Sequence, residues 1–251
     1  MNDSASNPKN DNDTRTVWLI ALAAPREFDA AMKAFDINGK RPALWERIET
    51  SNTRVDFVYT GVGKANAAGA VARAIDPSRH VGVLSAGIAG ALPSVESDEA
   101  SRWACELGDV VCASESVFAD DGVWTNDGFT SCAAMGFAPF DHGSDSIVHD
   151  PISANWLKPI ADHLGTIACV SLCSGTDERA AMIAAQCGAI AEAMEGAAAG
   201  LAVHRVDPSM LTAEIRVISN TTGDRDSQQW DLDGALTKLE DVLGRVARAL
   251  D

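Results

Sequence analysis

The sequence predicts an α/β protein built on a largely parallel sheet, and three observations carry that expectation. Apolar runs of strand length alternate with segments whose apolar residues recur at helical spacing. Glycines and other small residues collect where the strand-like runs end. The chain of 251 residues, 46% apolar and 22% charged, is long enough to bury a substantial core.

The elements follow in order. The polar opening "MNDSASNPKNDNDTR" has nothing to bury, so residues 1–15 are expected to be a disordered tail ahead of a single domain over 16–251. "TVWLIALAA" is a strand. After Pro25, "REFDAAMKAF" places Phe28, Met32 and Phe35 at helical spacing. "RVDFVYTGVG" reads as strand and glycine turn, and "KANAAGAVARAI" as an Ala-rich helix. "HVGVLSAGIAGAL" is a strand ending in small residues. An acidic insertion, "SVESDEASR", precedes the strand-like "LGDVVCASESVF". Residues 125–160 are rich in Gly, Ser, Asp and Pro with weak periodicity, which predicts loops and at most one short helix. Then come the strand "GTIACVSLCSG", the helix "DERAAMIAAQCG", the strand-to-helix passage "AIAEAMEGAAAGLAVHRV" and the last strand "AEIRVISN". Leu232, Leu236, Leu239, Val242, Leu243 and Val246 mark a closing helix. In open sheets of this kind ligands bind at the carboxyl ends of the strands, which is where the glycine turns fall.

The formal charge is −16, with 20 Lys and Arg against 36 Asp and Glu. That sign argues against a nucleic-acid partner, whose phosphates are gripped by clustered basic residues. The cysteines at 105, 112, 132, 169, 173 and 187 form no CxxC pair and have no histidine at metal spacing, so neither a metal nor a redox cofactor is expected and the thiols read as buried or idle. No apolar run approaches the roughly 20 residues of a membrane helix, and the opening residues do not resemble a signal peptide. A cytoplasmic protein with no membrane partner is expected. The five histidines are scattered over different elements and are assigned surface or packing roles.

Several motifs fail on inspection. "GVGKAN" lacks the P-loop spacing, and Asn66 stands where a dinucleotide fingerprint has its third glycine. No GxSxG is present for a hydrolase nucleophile.

Four segments taken in succession resemble the purine nucleoside phosphorylase and nucleosidase superfamily, in the branch of the methylthioadenosine nucleosidases. They are "TGVGKANAA" at 60–68, "SAGIAGAL" at 85–92 with "LGDVV" at 107–111, "EAMEGAA" at 192–198 and "RVISN" at 216–220. Within that superfamily, "FADDGV" at 118–123 and "SNTTGDRDSQQW" at 219–230 look most like the futalosine hydrolases. The resemblance implies a three-layer phosphorylase/hydrolase-like fold with a central, largely parallel but mixed sheet flanked by helices. It also implies a homo-oligomer, a small-molecule nucleoside substrate and no cofactor. The implied reaction is hydrolysis of an N-ribosyl bond, with futalosine giving hypoxanthine on the way to menaquinone.

Such a reaction passes through an oxocarbenium-like ribose, so the site must stabilise positive charge, activate water and help the base depart. Glu195 matches the ribose-binding glutamate of the resemblance; a helix-start glutamate facing the dipole is its bland alternative. Met194 beside it would pack on the sugar, or simply belong to the core. Glu27 falls where the water-activating carboxylate is implied, with an exposed first-turn glutamate as the competitor, and a one-residue shift would put Arg26 there instead. Asn220 occupies the place of an aspartate in adenine-specific relatives. A carboxylate only accepts, whereas an amide both accepts and donates, which suits the N7 proton and O6 of a departing 6-oxopurine. An Asx turn ending the strand is the alternative for Asn220.

Backbone at Ala86, Gly87 and Ile88 is implied to line sugar and base. The stretch "SGTDERAA" lacks the aromatic that stacks on the base in the nucleosidases, which leaves Phe118 as the candidate. The glycine loops carry no phosphate-binding arginine, and Lys64 is expected on the helix surface, so water is favoured over phosphate as nucleophile. Arg225 is open to pairing with a substrate carboxylate or, more commonly for such residues, to a loop ion pair with Asp224 or Asp226. A 6-oxopurine phosphorylase, a non-catalytic nucleoside-binding protein and a dinucleotide-binding reductase are the competing functions.

Overall fold

The computed structural model describes residues 15–50, 53–95, 102–149 and 156–250. The expected tail therefore lies outside the described residues except for Arg15, and so does most of the acidic insertion.

Eleven strands are seen among these residues: β1 Val17–Leu22, β2 Arg47–Ile48, β3 Val55–Tyr59, β4 His80–Ala91, β5 Val110–Phe118, β6 Gly122–Thr125, β7 Gly128–Ser131, β8 Ser146–Val148, β9 His163–Cys169, β10 Ala189–Ala193 and β11 Leu211–Thr221. The helices are α1 Pro25–Ala34, α2 Lys64–Ala74, α3 Asp177–Cys187, α4 Gly196–Val206 and α5 Leu232–Leu250. The main sheet runs β10-β9-β5-β11-β4-β1-β3-β2, with β8 on β5. Most pairs are parallel, while β11 with β5, β2 with β3 and β5 with β8 are antiparallel, which is the mixed sheet expected. At its far end β10 also pairs antiparallel with β4, Ala191 opposite Ala91 and Glu192 opposite Gly90, so part of the sheet closes on itself.

Burial on both faces explains the unbroken apolar run of β1. Trp18, Ile20 and Leu22 pack on one side with Phe28 of α1 and Leu236, Leu239, Leu243 and Val246 of α5. Leu19 and Ala21 face the other side, against Val71 of α2 and Val203 of α4. Three layers result, with each large buried aliphatic contributing about 1.5–3 kcal/mol. Local chemistry sets the helix ends. Thr176 caps α3 by accepting from Arg179 N at 3.2 Å, and Gly188, left-handed at φ 63°, stops it.

One expectation is corrected. Residues 125–160 are not loops alone, since β6 and β7 form a hairpin and β8 extends the sheet. All of β6 is exposed and none of β7 is buried, so the hairpin carries no alternation that a sequence pattern would reveal. No helix among the described residues is long and apolar enough to cross a membrane.

Candidate active site

A cavity of about 530 Å³ opens at the carboxyl ends of β1, β4 and β11, lined further by residues around the ends of β9 and β10. Glu27, Ile88, Met194, Glu195 and Asn220 all line it, residues separated by up to 193 positions in the chain (220 − 27) that the sheet brings together.

Glu27 stands in the first turn of α1, held there by Pro25 at the helix start. Its carboxylate points inward and is only 4% exposed. Oε2 accepts from Ala24 N at 2.7 Å and Ala23 N at 3.2 Å, and Oε1 from Ile88 N at 2.9 Å, which ties the β1–α1 turn to β4. Burial raises the pKa of this carboxyl, the nearby Glu195 charge raises it further, and Arg216 opposes both. Arg26, by contrast, points outward to an exposed ion pair with Asp233 and does not line the cavity.

Glu195 directly precedes α4 and is buried. Oε1 accepts from Gly63 N at 3.0 Å and Oε2 from Met194 N at 3.2 Å. Arg216 Nη1 lies 3.2 Å from the same Oε2. That arginine, on β11, is 1% exposed and also donates Nε to Glu214 Oε1 at 2.8 Å and Nη2 to Ser85 Oγ at 2.8 Å. Burial works against its charge, but Glu214, Glu195 and Glu27 together hold its pKa above the usual value. Behind it, Ser116 donates to Glu214 and meets His149 Nε2 at 2.7 Å, while His149 Nδ1 meets Thr212 Oγ1 at 3.1 Å. One buried cation thus serves three buried carboxyl groups, an arrangement suited to a substrate that becomes cationic.

Asn220 ends β11. Its Oδ1 accepts from Ser219 Oγ at 2.9 Å and its Nδ2 donates to Thr221 O at 2.9 Å. Each end of the amide keeps one further hydrogen-bonding position.

The phosphorylase superfamily model matches residues 19–251. The chain belongs to the phosphorylase superfamily. Within the superfamily it belongs with the futalosine hydrolases: it is 33% identical over 243 residues to that of Streptomyces coelicolor, covering 93% of this chain and 96% of the relative. The futalosine hydrolase of Acidothermus cellulolyticus is 32% identical over 236 residues, covering 92% of this chain and 90% of the relative. The fold is shared with the 5′-methylthioadenosine/S-adenosylhomocysteine nucleosidase of S. pneumoniae, solved with a transition-state inhibitor, at TM-score 0.71 and 21% identity over 93% of this chain and 99% of that one.

Several expectations for this superfamily member are corrected by its geometry. Phe118 does not line the cavity: its ring is buried, stacked on Phe140 at 6.1 Å, with Lys64 Nζ 5.4 Å above it. The aromatic at the cavity wall is Trp230, which the sequence placed in the motif without a role. Ala86 and Gly87 do not line the cavity either. Ala86 borders a narrow hollow beside Glu195 and Arg216. Gly87 lies against the carboxylate, where an added Cβ would fall 2.5 Å from Glu27 Oε1 and 2.7 Å from Arg216 Nη1. Lys64 is not on the helix surface but pairs with Asp120 and Asp121 of "FADDGV". Arg225 lines the cavity with its guanidinium 4.9 Å over Trp230 and donates to Gln228 Oε1 at 2.8 Å, rather than to Asp224 or Asp226. Cys173 also reaches the cavity wall.

Arg216 itself is the residue that sequence reasoning missed. Its signal is Glu214-Ile-Arg216 inside an apolar strand: two charges at i and i+2 share one face, and neither is tolerated in a core unpaired.

Proposed function

We propose that this chain hydrolyses the N-ribosyl bond of a 6-oxopurine nucleoside, with futalosine as substrate and hypoxanthine as the released base. The carrying observation is the pair of buried carboxylates, Glu27 and Glu195, gathered about Arg216 at one side of the cavity. The futalosine hydrolases named above support the choice of substrate, since the similarity extends over nearly their whole length.

Glu27 holds a water and takes its proton as the oxygen bonds to C1′ of the ribose. Glu195 accepts from the sugar hydroxyls, and its charge favours the oxocarbenium. The bond from C1′ to N9 breaks with its electron pair going to the base, which takes up a proton from solvent water at N7; Asn220 oxygen accepts that proton's hydrogen bond and Asn220 NH₂ donates to O6. Met194 and Ile88 pack on the sugar. Arg216 turns donors to Glu214, Ser85 and Glu195, is 1% exposed and does not line the cavity, so it is not placed to hold a phosphate there. Among the described cavity-lining residues Arg225 is the one cation, and it stands with Trp230 and Gln228 away from the carboxylate pair's contacts. Water is therefore the nucleophile. Residues 16–251 act as one catalytic domain in a cytoplasmic homo-oligomer.

Incubation with futalosine, inosine and methylthioadenosine, with and without phosphate, tests this reading. Hypoxanthine release from futalosine without phosphate is expected. Adenine release from methylthioadenosine with no hypoxanthine from the other two would contradict it.

A further inference from the structure

Glu192 is a buried carboxylate at the cavity that none of the roles above uses. It is 5% exposed and lines the cavity, yet among the described residues no cation stands within ion-pair distance of it, whereas Glu27, Glu195 and Glu214 share Arg216. Its oxygens are held by one residue: Oε1 accepts from Ser174 N at 2.7 Å and Oε2 from Ser174 Oγ at 2.6 Å. Burial pushes its pKa up, against the two Ser174 bonds and the more distant Arg179 charge. Its remaining acceptor positions border the cavity, which points to a donor that arrives with the ligand.

The sheet register says where that donor lies. Glu192 of β10 is opposite Gly90 of β4, and Asn220 of β11 is beside the same Gly90 on its other edge. Cross-strand neighbours project to the same face, so the two side chains flank Gly90 and border the cavity from either side. Adjacent strands lie about 4.8 Å apart, so the backbones of β10 and β11 are separated by about twice that across a glycine floor. A Cβ on Gly90 would fall 2.9 Å from Thr222 Cγ2 and 3.0 Å from Asn220 Nδ2, so glycine keeps the floor clear on the Asn220 side. What remains is a cleft with an amide on one wall and a carboxyl group on the other.

We propose that Glu192 is a second base-reading residue, accepting the N1 proton of a 6-oxopurine while Asn220 serves its N7 and O6 edge. This rests on the 6-oxopurine reading above and adds to it a second, independent point of selection. In its lactam form a 6-oxopurine carries a hydrogen on N1, next to O6. A 6-aminopurine has a lone pair at N1, which would face the lone pairs of the carboxylate. A carboxylate offers about four acceptor positions and Ser174 takes two, so Glu192 retains capacity for the base.

Calorimetric binding of free hypoxanthine and free adenine to the full chain tests the assignment. The wild-type protein is expected to prefer hypoxanthine. Glu192→Gln presents an NH₂ that can donate to adenine N1, while the Ser174 hydroxyl can reverse its bond and keep the loop in place. The hypoxanthine-to-adenine ratio of this variant is expected to fall by about 10- to 100-fold, the scale of a lost or mismatched hydrogen bond to a charged group. Glu192→Ala, which removes the acceptor, is expected to lower the ratio likewise. A role confined to clamping Ser174 would weaken both bases alike and leave the ratio unchanged, and that result overturns the proposal. Wild-type protein that cleaves futalosine yet binds hypoxanthine no better than adenine also overturns it, with the function left standing. Wild-type protein that neither binds hypoxanthine nor releases it from futalosine overturns both together.

Discussion

Arg216 Nη1 lies 3.2 Å from Glu195 Oε2, and both groups are buried beneath the cavity. The contact is one part of an arrangement in which a single guanidinium is shared by carboxylates on three elements: Glu27 on α1, Glu195 at the start of α4 and Glu214 on β11 itself. Removing one partner from a buried ionic cluster is more damaging than never having built it, because the remaining charges lose their compensation.

Arg216→Met keeps the volume roughly and removes the charge. It is expected to cost about 3–5 kcal/mol of stability, read as a lower denaturant midpoint in urea unfolding followed by circular dichroism. An unchanged midpoint would mean that the three carboxylates do not depend on Arg216.

As the proposed base, Glu27 is expected to set the pH dependence. Its folded-state pKa is raised above the ordinary 4.5 by burial and by Glu195. The ionised base is lost as pH falls through the raised value, so the acid limb of kcat/KM is expected above the ordinary carboxylate range. For stability the sign runs the other way. A raised carboxyl contributes stability that is fully present below its unfolded pKa and is lost as pH rises through the folded pKa. Glu27→Gln, fixed in the neutral form, is expected to lose about 10²–10⁴-fold in kcat and to escape that loss of stability at higher pH. Initial rates and thermal unfolding across a pH series read both effects, and a variant with the wild-type rate would remove Glu27 from the chemistry.

Asn220→Asp replaces a group that gives and accepts by one that only accepts. Hypoxanthine release from futalosine is expected to fall by about 10- to 100-fold in kcat/KM, because O6 then faces a carboxylate oxygen. If release continues unchanged, the amide serves only its bonds to Ser219 and Thr221.

Much of this layout is written in the sequence. Leu236, Leu239, Val242, Leu243 and Val246 recur at helical spacing, and all are buried on one face of α5. The apolar run of β1 is unbroken because helices cover both of its faces. Glu27 was harder to place, since a first-turn glutamate beside Arg26 reads equally well as a surface residue; only the turn of α1 over β4 decides which of the two faces inward. Phe118 misled because an aromatic near a site motif says nothing about which side of its strand it occupies, and here it packs against Phe140. Lys64 misled for a related reason. Its partners Asp120 and Asp121 lie 56 and 57 positions away, beyond any local pattern. Glu192 and Asn220 come together only through Gly90, because β4 accepts β10 antiparallel on one edge and β11 parallel on the other.

The measurement that bears most directly on the account is the fate of the nucleophile. Futalosine cleaved in phosphate-free buffer, prepared with water enriched in heavy oxygen, is expected to yield free base and a sugar carrying one heavy oxygen on its anomeric carbon. Glu27→Gln under the same conditions is expected to leave the nucleoside almost intact. Cleavage that begins only when phosphate is added, with a sugar phosphate as product, would contradict the account.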